Sequence, residues 1–404
     1  MKTNHLKPTL WLIICIVGLP QIAETIYTPS LPDIARSLNV SANQTEYTLT
    51  IYLFGFAVGV LLWGGLSDRI GRKPALMLGL AIYMLGCIAC FFAPTIEVLM
   101  LARFVQAFGG STGSVLGQAI ARDAFPQSER GKAFSMISLA MGFAPGVGPV
   151  IGGFTDHNFG WRAVFLVLIG LGTYVFFKVL TQLPETKQPG TQRAPLLKSA
   201  WNVLTDRRIL TYGFLVGGCN GILFSFYGEG PFYFIKILGV SVNHYGLLCL
   251  GTAIPLILGS LISRQMHAHG KSGDKIILAG CGFCSTGAIS LLALVFAGFI
   301  NPQYGAWAIS AALFLVMLTF VGIPMIISNC LSSALEHYSH MAGTAASLFG
   351  FYYYLWISAM TGIMGSMHNG TLIPMPLFFT GICFSMIGAF AYYIKREVLV
   401  AKTA

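Results

Sequence analysis

A polar turn of ten residues decides the fold of this chain: Gly64-Gly65-Leu66-Ser67-Asp68-Arg69-Ile70-Gly71-Arg72-Lys73. Long apolar segments flank it on both sides. Its glycines permit a tight connection between two helices, because glycine adopts backbone conformations that other residues avoid. Asp68 stands beside Arg69 and Arg72, and such a compact charge cluster can pair with the end of a neighbouring helix. The alternative is a water-exposed loop that only anchors the turn at a membrane surface.

The pattern of this turn recurs in the second half of the chain. Gly64-x-Leu66-x-Asp68-Arg69 is repeated 195 residues later as Gly259-x-Leu261-x-Ser263-Arg264, with a serine in place of the aspartate. Duplicated sets of helices with a binding site between the copies are a transporter architecture. The repeat therefore predicts two related halves.

Apolar segments dominate the rest of the sequence. Of the 404 residues, 55% are hydrophobic and only 9% are charged, whereas about 25% are charged in ordinary soluble domains. A membrane-spanning helix needs about 20 mainly apolar residues. We predict an all-α membrane protein with twelve transmembrane helices in two pseudo-symmetric six-helix bundles, with spans at 9–31, 45–66, 75–93, 95–120, 133–156, 161–183, 208–235, 244–264, 275–299, 304–329, 341–367 and 372–394.

A polar connector divides the twelve spans six and six. Residues 184–207 contain three prolines, a glycine and several basic side chains, a composition typical of a linker. We predict an N-terminal bundle over 1–183, a cytoplasmic linker over 184–207 and a C-terminal bundle over 208–404.

The basic residues indicate how the helices cross the bilayer. The net charge is +10, but most of the 24 lysines and arginines fall in alternate connectors. That distribution marks the cytoplasmic side of a membrane protein and argues against a nucleic-acid partner. We predict that both termini are cytoplasmic. Four basic residues depart from the pattern: Arg36, Arg103, Arg162 and Lys236.

Two charged residues lie deep within spans of the first half. A guanidinium within hydrocarbon costs at least ~2.5 kcal/mol, so Arg103 in span four should face a cavity and have a partner. Glu24 in span one lies at a similar depth, ~10 Å from the surface at 1.5 Å per residue, so an ion pair is feasible. Burial disfavours a charged carboxylate and a nearby arginine favours it, which makes Glu24 the candidate proton carrier. The alternatives for Arg103 are a fixed clamp between helices and a side chain that reaches outward to water.

Glu229 is a second acid within an apolar span, between Gly228 and Gly230 in span seven. An intramembrane acid can bind protons or attract a cation. Equally, a glycine-flanked break near the rim can leave Glu229 in contact with water and without a role. Both interpretations stay open at this point.

The substrate pocket should draw on the first span of each three-helix unit, which means spans one, four, seven and ten. A broad apolar cavity with few polar groups suits many amphipathic small molecules. The aromatic and polar candidates in these spans are Tyr27, Gln106, Ser114, Gln118, Asn220, Phe224, Tyr227, Ser328 and Asn329.

Nothing in the sequence indicates an enzyme, a metal site or a cofactor. The paired histidines at 267/269 and 337/340 lack a carboxylate or cysteine at ligand spacing. Neither a phosphate-binding glycine loop nor a nucleophile elbow is found. The nine cysteines sit in or at the edge of apolar spans, where they act as small packing residues. A receptor or membrane enzyme is the remote alternative, and it usually adds a soluble domain that these short connectors do not hold.

Three motifs resemble the major facilitator superfamily. The turn at 64–73 matches the family signature Gly-x-Leu-x-Asp-Arg-x-Gly-Arg-Lys at every position, and the resemblance implies that Asp68, Arg69 and Arg72 latch a cytoplasmic gate. Span four resembles the second family motif around Arg103 and Gln106. Span five is similar to the signature of the antiporter branch, which implies export. Its small residues let helices approach closely and its prolines kink the span; the matching positions are Pro145, Gly148, Pro149, Gly152 and Gly153.

Stretches at 26–32, 231–241 and 342–347 are similar to the Bcr/CflA subfamily of drug:proton antiporters. The resemblance implies proton-coupled efflux of diverse small amphipathic compounds, including antibiotics, by a monomer in the bacterial inner membrane. Its partners are then the small-molecule substrate, protons and the lipid bilayer. A dedicated carrier for one siderophore, amino acid or sugar is the alternative.

Overall fold

The computed structural model describes residues 8–187, 201 and 203–403. The described residues form twelve long helices and no strand, so the predicted all-α architecture is confirmed. The helices are α1 (Leu10–Ser37), α2 (Ala42–Ile70), α3 (Arg72–Phe92), α4 (Ile96–Ala124), α5 (Gln127–Phe159), α6 (Trp161–Gln182), α7 (Arg207–Ile237), α8 (Val242–Ala268), α9 (Gly273–Phe296), α10 (Ala306–Ala334), α11 (Ala342–Met367) and α12 (Pro374–Thr403).

Ten of these helices are long and apolar enough to cross a membrane by length and composition, within the described ranges. The other two, α4 and α11, occupy the fourth and eleventh predicted spans. Several helices begin or end beyond the apolar stretch, because polar residues close their ends. The Ser41 hydroxyl accepts from the Gln44 amide at 3.3 Å and the Gln44 side chain accepts from the Ser41 amide, a capping box that starts α2 at Ala42.

The chain divides into two compact units, Met1–Pro195 and Leu196–Ala404. In the first unit α4 packs against α1, α2 and α3, while α1 packs against α5 and α3 against α6. In the second unit the same contacts join the helices numbered six higher. The repeat of the 64–73 turn therefore has a structural counterpart in the packing of all twelve helices. Most of the predicted linker, 188–200 and 202, lies outside the described residues.

Small residues bring α5 against α1. A Cβ atom on Gly152 would overlap the backbone oxygen of Ile26, and one on Gly148 would meet the Thr25 hydroxyl. The Thr25 hydroxyl also donates to the backbone oxygen of Pro145 at 3.0 Å. The glycines of span five thus set how closely α1 and α5 approach beside Glu24.

The first helix of each unit changes conformation shortly after its buried acid. In α1, a 3₁₀ turn at Thr28–Ser30 separates Leu10–Thr25 from Leu31–Ser37. In α7, the α-helix ends at Gly230 and a π-helical turn spans Pro231–Ile237. Proline cannot donate the amide that would continue an α-helix, and π turns are frequent at functional sites.

Replacing Gly152 with alanine should destabilise the first unit, because the added methyl group overlaps the backbone of α1. We expect the free energy of unfolding to fall by about 1–3 kcal/mol, measured by thermal unfolding of the purified protein in detergent. Gly142→Ala is the matched control, since Gly142 lies in the same helix with open space around it, and should stabilise by up to about 1 kcal/mol. Equal stability of the two variants would contradict this close α1–α5 contact.

Candidate functional site

The Arg103 side chain is fully buried at the centre of the first unit. Its guanidinium carbon lies 3.8 Å from the ring centroid of Tyr27 and 4.0 Å from that of Tyr52. Cations are attracted to the faces of aromatic rings, and more strongly away from water. Nη1 also donates to Gln106 Oε1 at 2.5 Å and to the backbone oxygen of Ala23 at 3.4 Å. Helices α1, α2 and α4 therefore share one cation.

Two of the predicted pocket residues support Arg103. Gln106 is fully buried and donates from Nε2 to Cys87 Sγ at 3.0 Å, which ties the arginine to α3. The Tyr27 hydroxyl lies 3.2 Å from the Thr48 hydroxyl, and this bond fixes the ring beside the guanidinium. Both side chains are engaged inside the unit.

Glu24 is fully buried, and neither carboxyl oxygen has a hydrogen-bond partner in the described part of the chain. Arg103 is the cation whose field reaches it. The feasible ion pair between Glu24 and Arg103 is nevertheless not formed. Among the described residues, no nitrogen of Arg103 lies within 4.0 Å of a Glu24 oxygen. Instead the two tyrosine rings and Gln106 hold the guanidinium. Arg103 Nε and Nη2 likewise have no hydrogen-bond partner among those residues.

Glu229 is fully buried in the second unit, so the interpretation of a water-exposed rim residue is wrong. His368, in the connector after α11, places Nδ1 at 2.8 Å and 3.0 Å from the two carboxyl oxygens. The imidazole ring also packs 5.2 Å from the ring of Phe232, in the π-helical turn. The sequence analysis missed His368, since a single histidine in a connector carries no spacing signal.

Each unit contains an equivalent hydrogen bond between a tyrosine and a threonine, but the units differ in buried basic residues. Tyr227 and Thr252 hydroxyls lie 3.4 Å apart between α7 and α8, as Tyr27 and Thr48 do between α1 and α2. In the second unit the tyrosine packs on the ring of Phe226 at 5.8 Å. No lysine or arginine is fully buried among the described residues of that unit. The cation at the centre is a property of the first unit.

The remaining pocket candidates lie in varied surroundings. Gln118 and Ser328 are exposed, Ser114 accepts from Gln21 at 3.3 Å, Asn220 donates to its own helix and Phe224 packs on Tyr227. Asn329 of α10 packs against the end of α8: its amide nitrogen donates to Ser263 at 3.2 Å and its oxygen lies 2.9 Å from His267 Nε2. Both ends of the Asn329 amide are therefore used within the second unit.

The turn at 64–73 is held by Arg72. Its guanidinium donates to Asp68 at 2.7 Å, to Ser67 at 2.5 Å and to Asp123 at the end of α4 at 3.1 Å. The carboxylate of Glu185 accepts from the backbone amides of Arg72 at 2.9 Å and Lys73 at 3.2 Å, where a negative charge stabilises a helix start.

Arg69, by contrast, has an exposed guanidinium that joins none of these bonds within the described residues. Asp123 and Glu185 were not predicted as members of the cluster, because both lie far from the turn in sequence. In the second unit, Ser263 stands where the repeat places the aspartate. There the neutral contacts of Ser263, Asn329 and His267 replace the charged ones.

Twelve helices in two matched units, with costly charges inside the spans, define a polytopic membrane transporter. The chain belongs to the Major Facilitator Superfamily, whose family model matches residues 12–361. It is therefore a multi-pass membrane transporter rather than an enzyme.

Its relatives agree with the predicted subfamily. The chain is 36% identical over 395 residues to an uncharacterized transporter of Rickettsia bellii, with 96% of each chain covered. It is 34% identical to a bicyclomycin resistance protein homolog of Haemophilus influenzae, covering 93% of this chain and 92% of that one. It is 27% identical to multidrug resistance protein D of Escherichia coli, covering 87% and 86%. The resemblance to the Bcr/CflA drug antiporters is thus confirmed.

The fold has solved counterparts as well. The crystal structure of a D-xylose-proton symporter superimposes with a TM-score of 0.72 at 15% identity, over 93% of this chain and 96% of that one. At that identity the likeness concerns the fold alone.

Replacing Arg72 with glutamine should destabilise the first unit, because the change removes the cation between Asp68 and Asp123. Hydrogen bonds to charged groups contribute about 1.5–3 kcal/mol each, so we expect a loss of at least about 2 kcal/mol in detergent unfolding. The control is Arg69→Gln, an identical change at an exposed side chain, which should stay within about 0.5 kcal/mol. Equal losses in the two variants would show that net charge, rather than the Arg72 contacts, stabilises the turn.

Proposed function

We propose that this transporter exports diverse small amphipathic compounds in exchange for protons, by alternating access. The observation that carries the proposal is Glu24, fully buried with two unpartnered oxygens beside a fully buried Arg103. The names of two relatives, a bicyclomycin resistance protein homolog and multidrug resistance protein D, support drugs as the class of cargo.

The coupling step follows from the cost of a buried charge. An ionised carboxylate without hydrogen bonds is strongly disfavoured away from water, so the arrangement described here suits Glu24 as the neutral acid. After Glu24 releases its proton, the carboxylate needs a cation, and Arg103 Nε and Nη2 have unused donors. The tyrosine rings and the Glu24 carboxylate therefore compete for one guanidinium. Substrate that disturbs the rings shifts the arginine, and with it the protonation of Glu24.

Glu229 serves as a second proton-binding group in this proposal, with His368 as its hydrogen-bond partner.

The Arg72 cluster, with Asp68 and the exposed Arg69, latches the cytoplasmic gate. The remaining substrate contacts come from the aromatic and polar side chains of α1, α4, α7 and α10. The bundles at 1–183 and 208–404, joined by the linker at 184–207, alternate in a bacterial inner membrane. Both termini are cytoplasmic and the transporter works as a monomer.

Replacing Glu24 with glutamine should abolish uphill, proton-driven transport, because glutamine keeps the shape of the acid and cannot carry the proton. The measurement is drug accumulation in reconstituted vesicles with an imposed pH gradient. We expect a loss of at least about 100-fold in the gradient-driven rate, the scale of an acid–base contribution. Exchange of substrate at equal pH on both sides should persist.

Glu97→Gln is the matched control for that variant, since Glu97 is an exposed acid at the start of α4. Its gradient-driven rate should equal that of the unmodified protein. Unchanged uphill transport by the Glu24→Gln protein would overturn Glu24 as the proton carrier. Glu24→Asp retains a titratable group and should keep partial coupling.

Chemically unrelated compounds should compete for transport if the cargo is diverse. With one radiolabelled drug in the vesicle assay, we expect several unlabelled amphipathic compounds of different scaffolds to lower its rate at least about twofold, because broad apolar pockets tolerate varied ligands. Polar sugars and amino acids at the same concentration are the controls. Competition confined to one chemical class would favour the dedicated carrier instead.

A further inference from the structure

The face of α5 that packs on α1 ends in an acid, Asp156. Gly148, Gly152 and Asp156 are spaced four residues apart, so they share one side of the helix. The two glycines contact α1 at Thr25 and Ile26. From Gly148 to Asp156 the helix rises ~12 Å at 1.5 Å per residue. We call this line of contact the α1–α5 seam.

Asp156 is itself buried, with 8% of its surface exposed, and its oxygen Oδ1 has no hydrogen-bond partner among the described residues. The hydroxyl of Ser30, in the 3₁₀ turn of α1, lies beside this carboxyl. Ser30 is fully buried and its hydroxyl also has no hydrogen-bond partner of ordinary geometry in the described chain. Buried polar groups whose hydrogen bonding is incomplete require an explanation, and here two such groups adjoin each other.

Hydroxyl groups continue along the seam from Ser30 toward Glu24. The Thr28 hydroxyl donates to the backbone oxygen of Thr25 at 2.9 Å, and both threonine side chains are fully buried. Thr25 directly follows Glu24 in the chain. The seam thus carries the hydroxyl-bearing residues Ser30, Thr28 and Thr25 between Asp156 and the residue that follows Glu24, at the end of the unit opposite the Arg72 cluster.

We propose that Asp156 relays protons between solvent and Glu24 along the α1–α5 seam. This inference rests on the proposed proton-coupled function. In the step, the carboxylic acid of Asp156 gives its proton to the Glu24 carboxylate, and hydronium from the solvent then reprotonates the resulting Asp156 carboxylate. Reversal of the same step returns the proton. Glu24, fully enclosed, needs such an intermediate group to exchange protons with solvent.

Two charged residues of α1 face Asp156. Asp33 and Arg36 act on it with opposite sign, and they form an ion pair with each other. The Arg36 side chain is 74% exposed and that of Asp33 is 25% exposed. Other charged or titratable groups at this end of the unit include the exposed His157 and Glu97, the buried Glu46 at the start of α2, and Arg162, which donates to the backbone oxygen of Ala93 and covers the Trp161 ring.

The relay predicts that Asp156→Asn slows gradient-driven transport at least about tenfold, since a positioned proton donor contributes on that scale or more. Substrate exchange at equal pH should change less than about twofold. Asp156→Glu should restore much of the rate. The measurement uses the full chain in vesicles with the same drug and an imposed pH gradient.

The pH profile of that transport provides the sharper test. Asp33→Asn removes the negative charge that Asp33 places near Asp156. Asp156 then ionises more readily, so the pH profile of transport should move to lower pH. Arg36→Gln removes the positive charge near Asp156. Asp156 then ionises less readily, so the pH profile should move to higher pH. Each shift should be about 0.2–0.7 pH units, the scale of a solvent-screened charge pair. In the Asp156→Asn background both shifts should disappear.

A merely structural Asp156 would slow transport without these opposite shifts, and that result would overturn the relay. So would an Asp156→Asn protein with the native gradient-driven rate. If Glu24→Gln abolishes coupling while Asp156→Asn does not, the relay fails and the proposed antiport stands. If the Asp156→Asn protein does not fold, the Asp33→Asn and Arg36→Gln profiles still decide, because shifts in the same direction or none contradict the relay.

Discussion

The burial of one guanidinium constrains the whole first unit. Arg103 cannot lie in an apolar bundle without compensation, and two tyrosine faces, a glutamine and a backbone oxygen provide it. Those groups come from α1, α2 and α4, and Gln106 extends the contact to α3 through Cys87. The same cation is the only compensation at hand for an ionised Glu24 among the described residues near it. Packing and the proposed proton coupling therefore depend on the same side chain.

The two units have similar helix packing but differ in their buried basic residues. The helix contacts repeat, and so does the tyrosine to threonine bond between the first two helices of each unit. Charged contacts at Arg72 in the first unit correspond to neutral ones at Asn329 in the second. Since a buried charge is costly unless paired, the presence of a fully buried arginine in only one unit, among the described residues, indicates a function beyond packing. The first unit is thus the better candidate for the coupling machinery.

The twelve helices could be predicted because hydrophobicity is a local property of the sequence. Their ends could not, since caps such as Ser41 are polar and α5 starts at Gln127, six residues before its predicted apolar span. Depth arguments correctly brought Glu24 and Arg103 to one region. They could not reveal that the rings of Tyr27 and Tyr52 lie against the guanidinium.

Residues at helix ends and in connectors were the ones that sequence reasoning missed. His368, Asp123 and Glu185 reach their partners across more than 50 residues of sequence, and no spacing pattern announces them. Asp156 resembled the ordinary polar end of a span. Its placement became visible only once Gly148 and Gly152 fixed which face of α5 lies on α1. A small-residue motif that determines packing therefore also determines which acid lies beside the 3₁₀ turn of α1. That turn begins four residues after Glu24, so packing at the seam and the proposed proton path to Glu24 depend on the same few contacts.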